Sequence, residues 1–157
     1  KLEYEIGDFS SENEAEEYFI SSYCKNPDEL RERCFFAADE QNNIVGSCIA
    51  WHDKRGAGQA ASLHWLVVSP AHEGKKLGKA LVQTVMRVFQ EKNELPVYIH
   101  TQPWSYVAIL LYVRQGFKLQ MTDTFSQYEN QYAQAIDVLK KVLTAEQYSE
   151  LASCSEK

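Results

Sequence analysis

Between residues 74 and 79 the chain sets two glycines, Gly74 and Gly78, among three lysines, Lys75, Lys76 and Lys79. Glycine lets a ligand come close to the backbone because no Cβ intervenes. Three ammonium groups within five residues form a local basic cluster in a chain whose formal net charge is −6. This combination suits the binding of a polyanion, above all a phosphate-bearing ligand. Lysines on a turn are also ordinary solvated surface, and short glycine motifs are weak signals alone. The flanking elements therefore have to decide.

Leu63, Trp65, Leu66, Val67 and Val68 make a near-continuous apolar run that stops at Pro70, the pattern of a strand buried on both faces. Leu77, Ala80, Leu81, Thr84, Val85 and Val88 then recur at three- and four-residue intervals, which predicts a helix. The glycine-lysine turn, entered at Glu73, thus sits at a helix N-terminus. There the first N–H groups lack intrahelical partners and the macrodipole is positive, so phosphate oxygens bind well. A nucleotide-binding P-loop is not the match, since the full G-x-x-x-x-G-K-[ST] spacing is absent.

A second segment follows. Val97 to Thr101 reads as a short strand, Gln102-Pro103-Trp104 as a turn, and Ser105 to Gln115 as a helix. Ser105 is placed to cap that helix, its hydroxyl accepting from an N–H one turn in. Gly116 is placed to end it as a left-handed cap, with Phe117 opening the next strand.

Together the two segments resemble the GNAT N-acetyltransferase superfamily. That family's acyl-CoA motif runs Val-x-Pro, two residues, then Arg/Gln-x-x-Gly-x-Gly/Ala at the start of a helix. Val68, Pro70, Gly74, Gly78 and Ala80 stand in register here, with Glu73 at the Arg/Gln position and Lys76 at the first Gly. The family's second pattern is a strand, Asn-x-x-Ala, Leu-Tyr, three residues and Gly-Phe. It appears as Ser105-Tyr106-Val107-Ala108, Leu111-Tyr112, Val113-Arg114-Gln115 and Gly116-Phe117, with Ser105 in place of Asn. The resemblance is close over residues 34 to 121, looser before them and slight after.

The resemblance implies an α+β fold with a mixed, mostly antiparallel central sheet, splayed between the fourth and fifth strands, and flanking helices. In that fold the gap between the strands holding Leu66 to Val68 and Val97 to Thr101 admits pantetheine. Acetyl-CoA is then the co-substrate, and no metal is implied. The cofactor contacts carried over are Leu66, Val67 and Val68 on the strand edge, Glu73, Gly74, Lys75, Lys76, Leu77, Gly78 and Lys79 in the loop, and Ser105 and Tyr112. A main-chain N–H near Val67 or Val68 would polarise the thioester carbonyl.

Tyr112 is implied as the general acid that protonates the departing thiolate. A phenol titrates near ~10 and a thiol near ~8.5, so the transfer costs little. The other reading of Tyr112 is a core aromatic of an apolar helix, one of nine tyrosines in the chain. His64, in the strand before the loop, is the candidate general base: an imidazole near ~6.5 accepts a proton at neutral pH. A structural histidine is the alternative reading. His100 and His72 are weaker candidates, and His72 is expected to face solvent.

Leu2 to Ile6 alternates as a first strand. Ser10 or Ser11 caps a helix, with Glu14 in capping-box position to Ser11 and Ala15, Tyr18, Phe19 and Ser22 facing inward. Asn26-Pro27-Asp28 starts a short second helix ending at Arg33. Cys34 to Asp39 and Ile44 to His52 read as a hairpin, and Gly56 and Gly58 turn the chain into a strand at 60 to 69. The expected order is β-α-α-β-β-β-α-β-α-β. Beyond it, Tyr128, Tyr132, Ala135, Ile136, Leu139, Val142 and Leu143 form a helical stripe, and Thr144 begins another helix around 146 to 152. These helices depart from the family's ending, in which a last strand returns by hairpin. Packing within the monomer is expected of them, closure over the acceptor site or a homodimer surface being the alternatives.

The 157 residues, 45% hydrophobic and 24% charged, make one ordinary folded domain: 1–33 shaping an acceptor site, 34–121 as the core, 122–157 as a helical extension. No apolar segment approaches a membrane span, and no signal peptide is visible. Cys24, Cys34, Cys48 and Cys154 show no metal spacing and read as reduced thiols of a cytoplasmic protein. An excess of 22 carboxylates over 16 basic side chains argues against broad nucleic-acid binding and is compatible with a cationic amine acceptor. The expected activity is transfer of acetyl from acetyl-CoA to a primary amine of a small molecule or peptide. The alternative is a non-catalytic acyl-CoA sensor or interaction module of the same fold, which the departures at Glu73 and Lys76 keep open.

Overall fold

Strand-like alternation at the N-terminus resolves into a helical turn. In the computed structural model, which describes residues 1–122 and 128–156, α1 spans Leu2–Glu5. Leu2, Tyr4 and Ile6 alternate, but Leu2 and Ile6 are also i and i+4, so one face of a helical turn satisfies the same residues. The Ile6 N–H donates to the Leu2 carbonyl at 3.2 Å.

The helix α2 spans Glu12–Tyr23 and is capped by Ser11, whose Oγ accepts from the Glu14 N–H at 3.1 Å. The Glu14 carboxylate reaches one residue further back than a capping box requires, accepting from the Ser10 N–H at 2.9 Å and from the Ser10 hydroxyl. Ala15 and Tyr23 are buried, Phe19 and Ser22 half-buried, and Tyr18 lies exposed at the edge of the stripe. Asn26 caps α3, Pro27–Arg33.

β1 (Cys34–Ala38) and β2 (Ile44–Arg55) pair antiparallel, Phe35 opposite Cys48. The two-residue turn Gly56-Ala57 leads into β3, Gly58–Val68, and so short a link permits only an antiparallel return. α4 covers Leu77–Glu91, and β4 only Val97–Tyr98. The sheet order is β1-β2-β3-β4, mostly antiparallel. Because Leu2–Glu5 is helical, the strands expected fourth and fifth are third and fourth, and residues 99–101 lie outside the strand expected there.

The chain folds as two units, Lys1–His52 with Ala61–Val97 and Asp53–Ala60 with Tyr98–Lys157. In the first, α4 packs on β1, burying Leu81, Val82, Val85 and Phe89. Each such side chain contributes roughly 1.5–3 kcal/mol. Gly46 permits the close approach, since a Cβ there would stand 3.0 Å from the Val67 carbonyl oxygen and 3.1 Å from a Leu81 methyl. Buried Arg33 donates to both Glu94 carboxylate oxygens, at 2.9 and 2.7 Å, and thereby ties α3 to the loop after α4. Such bidentate pairing offsets the desolvation of the guanidinium.

The second unit holds α5 (Tyr106–Arg114), β5 (Leu119–Gln120), α6 (Tyr132–Val142), α7 (Ala145–Ser153) and β6 (Ser155–Glu156). β5 and β6 pair in parallel over two residues each. The C-terminal helices pack within the chain: Leu139, Leu143 and Leu151 share one core with Ile109, Leu110 and Val113 of α5. α7 begins at a capping box formed by Thr144 and Gln147. Tyr128 lies outside α6, and of the extension expected over 122–157, residues 123–127 and 157 lie outside the described residues. No described helix is long and apolar enough to cross a membrane. The four cysteines are free thiols, and burial pushes the Cys34 thiol up to about 11.

Candidate functional site

β3 carries a break in its pleat. Trp65, inside the strand, has φ +50, a left-handed conformation that costs an L-residue roughly 1–2 kcal/mol. Adjacent residues of a regular strand point to opposite faces. Here His64 and Trp65 both reach Tyr23 of α2: the Tyr23 hydroxyl lies 2.8 Å from His64 Nδ1, and the Tyr23 and Trp65 rings stand 5.5 Å apart, edge to face. The Ser47 hydroxyl donates to the Trp65 carbonyl at 3.3 Å and helps hold the turned backbone. Val67 is buried, and Leu66 and Val68 are half-buried.

Around Trp65 four further rings converge. Phe9, Tyr18, Phe19 and Tyr23 have centroids 5.7, 5.8, 5.5 and 5.5 Å from it, Tyr18 stacking at an interplanar angle of 15°. The helical stripe of α2 was legible in the sequence. Its convergence on a strand residue forty positions on was not, because only the left-handed turn at Trp65 brings that ring to this face.

Downstream of β3 the Ser69 N–H donates to the Val45 carbonyl at 2.8 Å, anchoring the loop to β2. A single 3₁₀ turn, Pro70–His72, follows. Gly74 has φ +73, and Lys76, at the N-cap of α4, has φ +65 and ψ 13. Lys76 occupies the place where the acyl-CoA motif has glycine, and the left-handed backbone is the physical reason for glycine there. Glu73, Gly74, Lys75, Lys76 and Lys79 are exposed, Leu77 and Gly78 half-buried. His72, expected to face solvent, is half-buried.

No side chain caps α4, and its first turn contains no acid. A helix N-terminus is ordinarily complemented by a capping oxygen or a carboxylate. Here it carries Lys79 and leaves its first N–H groups without that complement, an arrangement suited to an external polyanion. Phosphate oxygens fit these residues: donors from the backbone, glycine at 78, and lysines on either side.

In the second unit, Tyr112 is buried in α5 and its ring meets Phe117 edge to face at 6.0 Å. The helix stops as expected: Gly116 has φ +95, and the Phe117 N–H donates to the Tyr112 carbonyl at 3.1 Å. Ser105 makes no side-chain cap. It closes a 3₁₀ turn, Pro103–Ser105, its own N–H donating to the Gln102 carbonyl at 3.0 Å, and its backbone, at φ −85 and ψ 33, lacks the extended geometry a capping hydroxyl needs. The His100 ring stacks on Tyr128 with centroids 3.4 Å apart, and burial holds its imidazole below the usual histidine range. His64, residues 66–68 and the 73–79 loop thus belong to the first unit, Ser105 and Tyr112 to the second.

Residues 2–117 match the acetyltransferase (GNAT) family. N-acetyltransferase family 8 member 3 of Mus musculus is 33% identical over 97 residues, 60% of this chain and 42% of that protein. N-acetyltransferase 8F1 of Rattus norvegicus is 29% identical over 86 residues, 54% of this chain and 39% of that protein. The match thus spans about two fifths of these relatives. Among solved structures, an acetyltransferase of the GNAT family from Staphylococcus aureus Mu50 superposes with a TM-score of 0.58 at 19% identity, covering 73% of this chain and 74% of that one. Glucosamine-6-phosphate N-acetyltransferase from Arabidopsis thaliana gives a TM-score of 0.51 at 18% identity, covering 70% and 78%. At these identities the structural likeness concerns the fold alone.

Proposed function

The chain belongs to the acetyltransferase (GNAT) family, and from that premise we propose that it transfers the acetyl group of acetyl-CoA to a primary amine by direct attack. The observation that carries this reading is the start of α4: uncapped, free of acid, and preceded by left-handed Gly74 and Lys76. Its unmet N–H groups and lysines suit a pyrophosphate.

Acetyl-CoA supplies an activated acyl thioester. In the proposed reaction, main-chain N–H groups at Val67 or Val68 donate to the carbonyl oxygen as negative charge grows there. His64 takes a proton from the attacking nitrogen at Nε2, which requires the tautomer whose Nδ1–H donates to the Tyr23 oxygen. A C–N bond forms as the C–S bond breaks, and Tyr112 gives its phenolic proton to the leaving sulfur. The products are an acetamide and the CoA thiol, and water returns the proton from His64 to Tyr112 through bulk solvent. Holding amine and thioester together removes much of the entropic barrier.

Calorimetric titration with acetyl-CoA, followed by CoA release against a panel of amines, tests the proposal. Binding with turnover is expected. Binding without turnover on any amine would favour a non-catalytic acyl-CoA sensor, and no binding would mean that Glu73 and Lys76 have disabled the loop.

A further inference from the structure

We infer that the amine acceptor carries a flat apolar body, an aryl or arylalkyl amine, seated against Tyr18, Phe9 and Trp65. The inference rests on the acetyltransferase reading and names the substrate class for it. Tyr18 is 48% exposed although it stacks on Trp65, and Phe9, Phe19 and Trp65 are half-buried. A contiguous aromatic surface left partly wet gains from a ring laid on it, by area removed from water and by ring geometry.

The position along β3 fits a reacting amine. Trp65 lies two residues from Val67, roughly 6–7 Å along an extended strand, and His64 is its neighbour. An amino group joined to a ring by a two-carbon link spans such a distance.

Charge separates this class from a phosphorylated acceptor. From Leu2 to Cys24 the chain has no Lys or Arg, so a phosphorylated acceptor would find no counter-charge on α1, α2 or the loop between them. A polyamine would be drawn to the carboxylates of this stretch, Glu12 and Glu16 among them, but would leave the aromatic area uncovered. What the rings offer is apolar area, which a flat apolar amine covers.

The test measures CoA release with phenethylamine, spermidine and glucosamine-6-phosphate, alongside acetyl-CoA titration, for the native chain and for Tyr18→Ala and Tyr18→Phe. Phenethylamine is expected to be turned over with the highest kcat/KM of the three. Tyr18→Ala is expected to raise its KM about three- to tenfold, from the loss of one aromatic contact, with kcat and acetyl-CoA affinity held, and Tyr18→Phe to restore the KM. Because Tyr18 is exposed, the variants should fold, which a circular-dichroism melt checks. Turnover of spermidine or glucosamine-6-phosphate with phenethylamine inert would overturn the inference and leave the acetyltransferase standing. An unchanged KM in Tyr18→Ala would remove the aromatic seat. No acetyl-CoA binding and no turnover with any amine would overturn both readings.

Discussion

Tyr23 and His64, 41 positions apart in sequence, share a hydrogen bond of 2.8 Å between a buried phenol at the end of α2 and an imidazole on β3. The bond ties the ring orientation of His64 to the packing of a core aromatic. When His64 acts as a base, Nδ1–H faces that phenol oxygen and Nε2 takes the proton. His64→Ala is therefore expected to flatten the acidic limb of the pH–rate profile. Tyr23→Phe removes the oxygen that orients the ring and is expected to lower kcat with the acetyl-CoA KM unchanged. An unaltered profile in His64→Ala would pass the base role to water or another residue.

Tyr112→Phe removes one hydroxyl and keeps the ring that meets Phe117. Turnover should fall by about 10²-fold, the lower range for loss of a positioned proton donor, with acetyl-CoA affinity retained. Steady-state kinetics beside calorimetry separates the two, and unchanged turnover would confine Tyr112 to packing.

Gly78 stands in the first turn of α4. An Asp there favours the helix dipole and repels phosphate. Gly78→Asp should hold or raise the melting temperature and abolish acetyl-CoA binding in calorimetry. Retained binding would show that the loop is not the phosphate site.

Lys76 holds φ +65 at a position suited to glycine. Relief of left-handed strain, less the greater freedom of glycine in the unfolded chain, should make Lys76→Gly more stable by roughly 0.5–1 kcal/mol. Urea denaturation measures this, and a loss of stability would mean that the lysine side chain earns its place by contacts.

Glu3 is 5% exposed, and burial, reinforced by Asp8, pushes its carboxyl up to about 7. The folded-state value lies above the unfolded one, so its contribution is fully present below about 4.3 and is lost as pH rises through about 7. Glu3→Gln should therefore melt higher than the native chain at pH 8, and the difference should shrink toward pH 4. Equal melting temperatures at pH 8 would show that the carboxylate is solvated.

Much of this protein was legible in one dimension because the relevant physics is local. The apolar run to Val68, the turn with Gly74 and Gly78, the α4 stripe and the Gly116 stop are short-range patterns, and they point to the family and to the loop proposed for phosphate. Elsewhere local pattern was ambiguous: Leu2 and Ile6 satisfy a strand or a helical turn equally, and Ser105 had the chemistry of a cap without the backbone for one. The rest belongs to tertiary structure. The left-handed backbone at Trp65 and Lys76, the Tyr23–His64 bond, the five-ring cluster and the burial of Glu3 all arise where distant segments are pressed together. Spacing along a chain carries no record of such meetings, because packing between elements sets which backbone strain is tolerated and which polar atoms are buried.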